Sequence, residues 1–394
     1  MASTDRRSTT RNVLFVTWQY FPMPAGGAEH QARLQAEELA RRGHRVTVLC
    51  RSSAEAGSGA VNGVAVHRLP AVDRRPFRTL TFLCSLAVYL LLRVRHADVV
   101  HVHLAGLYTD LVVLIASWYG VPVYLKIAAG GESGEVRKLR RFARVTRFYG
   151  LRHAARVQAL SDEIAAELRD AGVPPGRIVR IPNGVLSPAP RDARDRAGLR
   201  AGLELPEDGL VVLYMGRFSR YKGVADLVEA WRRVPAEDAR LLLVGYRADH
   251  PPEDQLDLAP GSPALPGNVV VHEWTTRAAD YLAAADVFVL PSHSEGMSNA
   301  LLEALAGSLP TVATRVGAAT TLIDDGVNGL LVDAGEPAQL ADALTRILAD
   351  GVLRQRLAGA AAITGREYSV DAVVDRLEET YAAMRTDRQR SQNP

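Results

Sequence analysis

Cysteine and lysine are both scarce in this chain of 394 residues. The two cysteines, Cys50 and Cys84, are too few for a disulfide framework, and their predicted strand and helix settings favour core packing in a reducing compartment. Only three of the 47 basic residues are lysines, namely Lys126, Lys138 and Lys222. An ammonium group is a compact point charge whereas a guanidinium group is a planar fork, so a lysine kept against this bias is a candidate functional residue.

The sequence also lacks a leader-like segment, a long apolar run and a metal-binding carboxylate motif. Its first twelve residues are polar, so we expect no signal peptide. The longest apolar run, residues 80–92, is expected to be too short to span a bilayer. There is no Asp-x-Asp pair that would suggest a divalent ion, so we predict no metal site. These absences favour a cytoplasmic protein.

Charge is divided unevenly along the chain. Residues 1–190 carry 26 Lys and Arg against 14 Asp and Glu, a net charge of +12, whereas the remainder carries 21 against 30, a net charge of −9. We expect the first half to face something anionic, with chance and solvation as the alternative. Nucleic acid is not the predicted partner, because no nucleic-acid-binding motif is present.

A basic segment stands out within the first half. Residues 137–156 contain eight Lys and Arg, no acidic residue, and apolar residues at helical spacing. Such a basic amphipathic helix is typical of binding to an anionic membrane surface. An ordinary solvated helix packed on the core is the alternative.

Short β-branched runs alternate with amphipathic segments in both halves, which predicts an α/β protein with parallel sheets covered by helices. Residues 188–200 interrupt the alternation, since they are rich in Pro, Asp and Arg and have no apolar period. We place the linker between two α/β domains there. Ligands of such sheets bind beyond the carboxyl ends of the strands.

The strongest functional pattern is PSHSEGMSNALLEA at residues 291–304. It places a loop of small residues between a predicted strand ending at Leu290 and a predicted helix starting near Asn299. Backbone N–H groups at such a helix start bind a diphosphate, aided by the helix dipole. Glu303, inside the helix, is placed to bind a ribose diol, and Glu295, before the helix, to meet sugar hydroxyls. A solvated helix start with two surface glutamates is the alternative.

A second pattern, MGRFSRYKG at residues 215–223, also follows a predicted strand and opens a helix. Arg217 and Lys222 are candidates to bind a pyrophosphate, one as a fork and the other as a point charge. Together they would neutralise a leaving nucleoside diphosphate without a metal ion. An exposed basic turn is the alternative.

The first half contains weaker candidates. The pair Gly26-Gly27 joins the first predicted strand to the first helix and would allow an anion-binding turn. His101 and His103 end a predicted strand on one side of it, facing the expected ligand cleft. They lack a third ligand, so we reject a zinc site, and structural histidines are the alternative.

Six motifs occur in a characteristic order: GGAEHQ, DVVHVH, RIVRIPNGV, MGRFSRYKG, SEGMSNALLEAL and LPTVATRVG. Together they resemble the retaining GT-B glycosyltransferases of family four, the "glycosyl transferases group 1". The resemblance covers residues from about 12 to 385 and implies two Rossmann-like domains with parallel sheets facing an interdomain cleft. The implied parts are an acceptor-binding domain at 1–187, a donor-binding domain at 188–366, and a helix at 367–394 that crosses back to the first domain before a disordered tail.

The resemblance also implies roles for particular residues. Arg217 and Lys222 would bind the donor diphosphate, Glu303 the ribose and Glu295 the donor hexose. Further donor contacts are implied at Gly26, Gly27, Gly216, Met297, Ser298 and Asn299.

The chain departs from the family pattern at two places. Many members carry a histidine in a Thr-x-His-Gly-like motif, where this chain reads Lys126-Ile-Ala-Ala-Gly130. This leaves Lys126 and His103 as candidates for the group that faces the reacting carbon. Many members also have a glutamate after a Gly-Gly, where this chain reads Gly317-Ala-Ala-Thr-Thr321, so a third acidic contact is missing.

The predicted activity is transfer of a hexose from a UDP- or GDP-sugar to an acceptor hydroxyl, with retention and without a cofactor or metal ion. The predicted acceptor is a lipid-linked or cell-surface polysaccharide precursor, handled by a cytoplasmic enzyme peripheral to the inner face of the membrane. Three alternatives remain open: a soluble small-molecule acceptor, a GT-B nucleotide-sugar 2-epimerase, and an inactive nucleotide-sugar-binding scaffold.

Overall fold

The chain folds into two compact units. The structure, a computed structural model, describes residues 10–21, 26–52, 57–72, 74, 77–130, 134–140, 148–186, 193–247 and 258–392. Unit 1 comprises Met1–Gly184 and Val370–Pro394, and unit 2 comprises Val185–Ser369. Each unit is built on its own sheet, and the predicted α/β architecture of two parallel-sheet domains is confirmed. The predicted domain boundaries, after residues 187 and 366, each lie three residues from the observed ones.

Unit 1 is built on an eight-stranded sheet in the order β3-β4-β2-β1-β5-β6-β7-β8. Its strands are β1 (Asn12–Val16), β2 (Arg45–Arg51), β3 (Gly59–Val61), β4 (Val64–Leu69), β5 (Val99–His103), β6 (Val123–Ile127), β7 (Arg156–Ala159) and β8 (Ile178–Val179). Only the β3–β4 pairing is antiparallel. The strand order reverses between β1 and β5, which puts the carboxyl ends of these two strands at a topological switch point.

Helices connect the strands in both units. They are α1 (Gly27–Arg41), α2 (Phe77–Arg93), α3 (Leu107–Trp118), α4 (Glu135–Arg140), α5 (Tyr149–His153), α6 (Asp162–Asp170), α7 (Ala193–Gly202), α8 (Val224–Trp231), α9 (Ala278–Ala284), α10 (Asn299–Ala306), α11 (Ala319–Leu322), α12 (Pro337–Ala349), α13 (Gly351–Glu367) and α14 (Val370–Gln392), with 3₁₀ turns at Val94–His96, Pro175–Arg177 and Arg220–Lys222.

The last helix, α14, completes the core of unit 1. Its residues Val373, Leu377 and Tyr381 are buried in one apolar cluster with side chains of β1, β2 and β4. Arg42 at the end of α1 reinforces this packing, because its guanidinium bonds Glu378 at 2.6 Å. Unit 1 is therefore assembled from both ends of the chain, with unit 2 inserted between them.

Helix α2 is longer than the sequence suggested. Together with its 3₁₀ extension it spans Phe77–His96, 20 residues, and an 18-residue stretch of it has a mean hydropathy of 1.6, so by length and composition alone it could cross a membrane. Residues 80–92 are thus the middle of a longer helix, and the expectation that this run does not span a bilayer stays a prediction. The expectation of core packing is confirmed for Cys50, which is buried, and wrong for Cys84, which is exposed on α2.

Unit 2 is built on a six-stranded parallel sheet in the order β11-β10-β9-β12-β13-β14. Its strands are β9 (Leu210–Met215), β10 (Ala239–Tyr246), β11 (Val269–Glu273), β12 (Val287–Leu290), β13 (Thr311–Thr314) and β14 (Leu330–Val332). The sheet is doubly wound: strands β9 to β11 follow one another in one direction across it, and strands β12 to β14 follow in the opposite direction, starting beside β9. The loops after β9 and β12 carry the two strongest sequence motifs, so both motifs meet at the switch point.

The predicted linker at residues 188–200 is partly helical, since α7 begins at Ala193. Arg200 is buried and its Nη2 donates to Asp286 Oδ2 at 2.7 Å, and the Arg196 guanidinium bonds the other oxygen of the same carboxylate. Asp286 also accepts from the backbone N–H of Val211 at the start of β9. Helix α7 is held by these long-range polar bonds and not by an apolar stripe. The periodicity of apolar residues therefore did not predict it.

Candidate active site

Two loops of unit 2 lie against each other at the switch point. Gly223 ends the loop after β9 with φ 63°, and a Cβ atom there would lie 2.0 Å from the carbonyl oxygen of Pro291 in the loop after β12. The backbone N–H of His293 donates to Tyr221 O at 2.8 Å. Such close backbone contact requires glycine at position 223 and joins the two motifs into one surface.

Lys222 and Glu295 form an ion pair across these loops. Lys222 Nζ lies 2.5 Å from Glu295 Oε1, and both side chains are mostly buried. Ser292 Oγ donates to the same carboxylate oxygen at 2.9 Å. The ammonium group and the carboxylate are thus positioned together, although the sequence assigned them to separate parts of a donor, the diphosphate and the hexose.

A third loop, after β13, supports the loop that carries Glu295. Gly317 has φ 52°, and a Cβ atom there would lie 2.1 Å from the carbonyl oxygen of Glu295. Ala318 N–H donates to Gly296 O at 2.9 Å, and Thr314 Oγ1 donates to Ser292 O at 2.6 Å. This stretch lacks the family's third glutamate, and its backbone holds the Glu295 loop in place.

Helix α10 begins at the end of the Glu295 loop. Ser298 is its N-cap, and its hydroxyl accepts from Leu301 N–H at 3.3 Å, as its sequence position predicted. Met297 and Ser298 are buried and Asn299 is half-buried. Glu303 lies in the second turn, where burial raises the pKa of its carboxyl group to about 7. A ligand at this helix start would therefore meet a carboxyl group that titrates near neutrality.

Arg217 is an exposed cation of the loop after β9. Its guanidinium makes no ion pair with the residues that the structure describes, and its backbone carbonyl accepts from Tyr214 OH at 2.9 Å. Gly216 precedes it, with the Tyr214 hydroxyl 2.9 Å from where a Cβ atom would be. The buried Tyr214 side chain thus holds the backbone at the start of this loop, whereas the Arg217 side chain extends into solvent.

The glycine pair of unit 1 lies at the start of α1. Gly26 is the N-cap residue, with φ −76°, and Gly27 is the first helical residue. Both are exposed, and residues 22–25 lie outside the described part of the chain. The pair therefore forms the N-terminus of α1 near the switch point of the first sheet, without needing a left-handed backbone at Gly26.

His101 and His103 lie on one side of β5, as predicted, and their rings stack with centroids 4.3 Å apart. Both are fully buried, so the expectation that they face a ligand cleft is wrong for this structure. Phe15 of β1 stacks on both rings, and Tyr381 of α14 bonds His101 Nδ1 at 2.5 Å. They are buried because β5 is an inner strand and helices α1 and α14 cover this face of the sheet.

Lys126, on the neighbouring strand β6, is also buried. Its ammonium group donates to Asn183 Oδ1 at 2.8 Å. Burial lowers the pKa of Lys126 to about 7, and burial raises that of Glu135, whose carboxylate accepts from Ala128 N–H, to about 8. Neither His103 nor Lys126 presents a polar atom at the surface, so which group of unit 1 faces the reacting carbon stays a prediction.

Several residues of this site were not predicted from the sequence to have a role. Ser292 and His293 stand inside the quoted motif but received no role, and Asp226 was not singled out. His293 Nε2 lies 2.7 Å from Asp226 Oδ2, which ties the β12 loop to α8. The helix begins at Val224, two residues after Lys222, and this start would have indicated Asp226 as an acidic residue of the first turn.

The basic segment of residues 137–156 is described only in part. Helices α4 and α5 cover its two ends, and residues 141–147 lie outside the described residues. Phe148 has φ 55°, a left-handed conformation that interrupts a right-handed helix. Arg156 begins strand β7, so the predicted continuous basic helix is wrong at its carboxyl end.

Metal ligation was not predicted. Among the described residues, no three His, Cys, Asp or Glu side chains come together as a metal site. The independence of the reaction from a metal ion stays a prediction.

The buried histidines predict a loss of stability in acid. Burial lowers the pKa values of His101 and His103 well below 6.5, so below pH 6.5 the unfolded chain binds more protons than the folded one. Lys126 contributes only above about pH 7, whereas Glu135 and Glu303, whose pKa values burial raises to about 8 and about 7, oppose the histidines above 4.5. The contribution of the two histidines to the free energy of unfolding should therefore be lost as the pH drops below 6.5.

His103→Phe tests this assignment, because phenylalanine can join the aromatic stack without a titrating group. The pH slope of the free energy of unfolding, measured by denaturant titration, should decrease by up to about 1.4 kcal/mol per pH unit. A slope equal to that of the wild type would show that His103 is not the buried neutral group described here.

Comparison with known proteins places the chain in a family. Residues 209–350 match the family described as "Glycosyl transferases group 1", and residues 26–184 match a "Glycosyl transferase 4-like domain". A D-inositol 3-phosphate glycosyltransferase of Nocardiopsis dassonvillei is 32% identical over 401 residues, covering 91% of this chain and 90% of that relative. The chain therefore belongs to the glycosyl transferases group 1 family, as its motifs predicted, and it is a glycosyltransferase by class.

Other relatives align over shorter stretches. The lipopolysaccharide core biosynthesis glycosyltransferase LpsE of Rhizobium meliloti is 38% identical over 178 residues, 45% of this chain and 51% of that relative. The chain spans about half the length of several curated relatives that it matches, with alignments covering 50 to 58% of them. The solved structure of Anabaena HepE in complex with UDP-glucose superposes with a TM-score of 0.76 at 20% identity, covering 95% of this chain and 100% of that one. This likeness confirms the GT-B fold.

Proposed function

We propose that this chain transfers a hexosyl group from a UDP- or GDP-sugar to an acceptor hydroxyl, with retention of anomeric configuration and without a divalent metal ion. The observation that carries the proposal is the Lys222–Glu295 ion pair at the switch point of the second sheet, with Arg217 on the same loop as Lys222 and Glu295 on the loop that leads into α10. A nucleoside diphosphate needs cationic side chains and backbone N–H groups, and this surface combines both.

The proposed chemistry follows from where charge develops. Cleavage of the anomeric bond builds positive charge on the sugar and negative charge on the leaving phosphate. Lys222 and the amino end of α10 are held in place before the reaction begins, and together with Arg217 they would stabilise the leaving phosphate. Glu295 would bind the hexose hydroxyls, and its ion pair with Lys222 would couple hexose placement to leaving-group stabilisation.

The donor can be identified by ligand-induced stabilisation. Thermal unfolding and calorimetry with UDP, GDP and their sugars should show one nucleotide stabilising the protein by about 2.7 kcal/mol at a hundredfold excess over its Kd. The same result is expected in EDTA, which tests metal independence. UDP is the first ligand to try, because HepE was solved with UDP-glucose. No affinity for any nucleoside diphosphate would contradict the proposal.

Glu303 should make donor binding depend on pH. Its pKa is about 7, and its ionised form is the one that accepts hydrogen bonds from a ribose diol. Donor affinity should therefore rise as the pH increases through 7, by up to about tenfold per pH unit on the acidic side. Calorimetry of Glu303→Gln should show weaker binding without this pH dependence. A dependence unchanged by the substitution would remove Glu303 from the ribose site.

Two acceptor classes are supported by different relatives. The LpsE relative and the positive charge of residues 1–190 support a lipid-linked or cell-surface polysaccharide precursor, met by a cytoplasmic enzyme at the inner face of the membrane. The D-inositol 3-phosphate glycosyltransferase supports a soluble polar acceptor instead. Transfer assays with both acceptor classes separate them, and product analysis without acceptor tests the 2-epimerase alternative. Donor binding without any turnover would indicate a scaffold.

A further inference from the structure

Unit 1 has an exposed apolar face. It is formed by Leu80, Val88, Leu91 and Leu92 of α2 with Leu114 and Trp118 of α3, each between 44 and 81% exposed. The two helices are joined where Tyr119, just after α3, donates its hydroxyl hydrogen to Leu91 O at 2.9 Å. We call these six side chains the apolar face.

The opposite side of α2 is already used for packing. Phe82, Leu86 and Leu90 are fully buried, and they lie at helical spacing on the side facing away from Leu80 and Val88. A helix of a soluble protein normally turns polar residues outward on that second side. Here both sides are apolar, so the apolar face needs a partner that covers it.

The surroundings of the apolar face are cationic. The chain has no acidic residue from Arg74 to Ala97, and the exposed Arg74, Arg93 and Arg95 flank the two ends of α2. Arg388 of α14 adds another guanidinium at the end of α3, where it would lie 2.9 Å from a Cβ atom on Gly120. An apolar centre with a rim of arginines complements a bilayer that contains anionic headgroups.

A groove beside the apolar face adds to this complementarity. It has a volume of about 820 Å³, lies between β4 and α2, and includes Leu69, Val88, Leu92 and Arg93 in its lining. Such a groove complements a phospholipid, because its apolar side chains can contact the acyl chain and its guanidinium group can bind the phosphate. Trp118, 81% exposed at the end of α3, has the amphipathic ring that favours a membrane–water interface.

We propose that the apolar face docks unit 1 on a bilayer containing anionic lipid, with α2 lying in the plane of the interface. Helix α2 meets the length criterion for a span, but its buried side belongs to the core of unit 1, so crossing the membrane would break that core. The biological purpose of this docking surface rests on the proposed lipid-linked acceptor. An enzyme docked on the membrane would meet such an acceptor by diffusion within the membrane.

Vesicle binding tests the proposal with the full chain and without any nucleotide sugar. Wild-type protein should cosediment with vesicles of phosphatidylcholine and phosphatidylglycerol, and bind less to phosphatidylcholine alone. The double variant Val88→Asp/Leu92→Asp should lose roughly tenfold or more of its partitioning. The matched control Val352→Asp/Ile363→Asp changes two exposed apolar side chains of α13 in unit 2 and should bind as the wild type does.

Tryptophan fluorescence gives a second readout that needs no disruptive substitution. Anionic vesicles should shift the emission of the wild type to shorter wavelength, and brominated lipid should quench it. Both effects should disappear in Trp118→Phe and persist in Trp274→Phe, whose tryptophan is exposed on unit 2. Sugar transfer to a soluble acceptor is measured separately, so failure of docking and failure of the proposed activity are distinguishable.

Three results would overturn the proposal. The first is no binding of the wild type to anionic vesicles. The second is full binding by Val88→Asp/Leu92→Asp with loss in Arg137→Glu/Lys138→Glu, which would assign docking to the basic segment. The third is a dimer in sedimentation velocity that Val88→Asp/Leu92→Asp abolishes, with no vesicle binding, which would assign the face to a second copy.

Discussion

Replacing Lys222 by alanine is expected to lower kcat for sugar transfer by about 10²- to 10³-fold, the usual loss when one positioned donor to a developing negative charge is removed. The ammonium group lies 2.5 Å from Glu295 Oε1 beyond the ends of β9 and β12, where the leaving diphosphate is proposed to bind. Steady-state kinetics with the donor found by calorimetry measures the effect. Circular dichroism and thermal unfolding establish that the variant is folded.

Arg220→Ala is the matched control for this experiment. Arg220 is an exposed cation of the same 3₁₀ turn, two residues from Lys222, so its loss changes the local charge equally. We expect kcat to stay within about twofold of the wild type, as for an exposed surface charge. Normal turnover by a folded Lys222→Ala variant would remove the leaving-group role of Lys222.

Gly223→Ala is expected to destabilise unit 2 by more than about 2 kcal/mol. The residue has φ 63°, and the new methyl group would lie 2.0 Å from the carbonyl oxygen of Pro291. Because the contacting atom belongs to the backbone, the clash is relieved only by moving the loop that carries Glu295. Nucleotide affinity should therefore fall along with the free energy of unfolding, as measured by calorimetry and denaturant titration.

Gly359→Ala is the same chemical change, and we expect it to raise the free energy of unfolding instead of lowering it. Gly359 lies within α13, and apart from its chain neighbours and the backbone of its own helix no atom lies within 4 Å of the position a Cβ would take. The substitution should stabilise the protein by about 0.5–1 kcal/mol through helix propensity alone. A Gly223→Ala variant as stable as Gly359→Ala would show that the two loops do not pack as described.

The sequence located the donor loops because their flanking elements have strong local patterns. The predicted strand end at Leu290 and the predicted helix start near Asn299 agree with the observed β12 and α10. Helix α3 was missed, because half of Leu107–Trp118 is a continuous apolar run without the period of an amphipathic helix. Helix α13 was missed for a related reason. Its sequence is rich in Gly and Ala, so its buried and exposed faces differ little in hydrophobicity.

The contacts within the site could not be read from local patterns. Lys222 and Glu295 are 73 residues apart, and His101 and Tyr381 are 280 apart. Periodicity tells which side of an element a residue occupies but not which distant residue covers that side. It placed His101 and His103 together correctly, and it could not show that α14 would return from the far end of the chain to bury them.

The insertion of unit 2 into unit 1 determines the order in which the two units can fold during synthesis. The core of unit 1 requires Val373, Leu377 and Tyr381, which leave the ribosome after all of Val185–Ser369. Unit 2 is a continuous stretch and can fold as soon as it emerges. The half synthesised first is therefore completed last, and until then the apolar surface that α14 covers is open to chaperones and to aggregation.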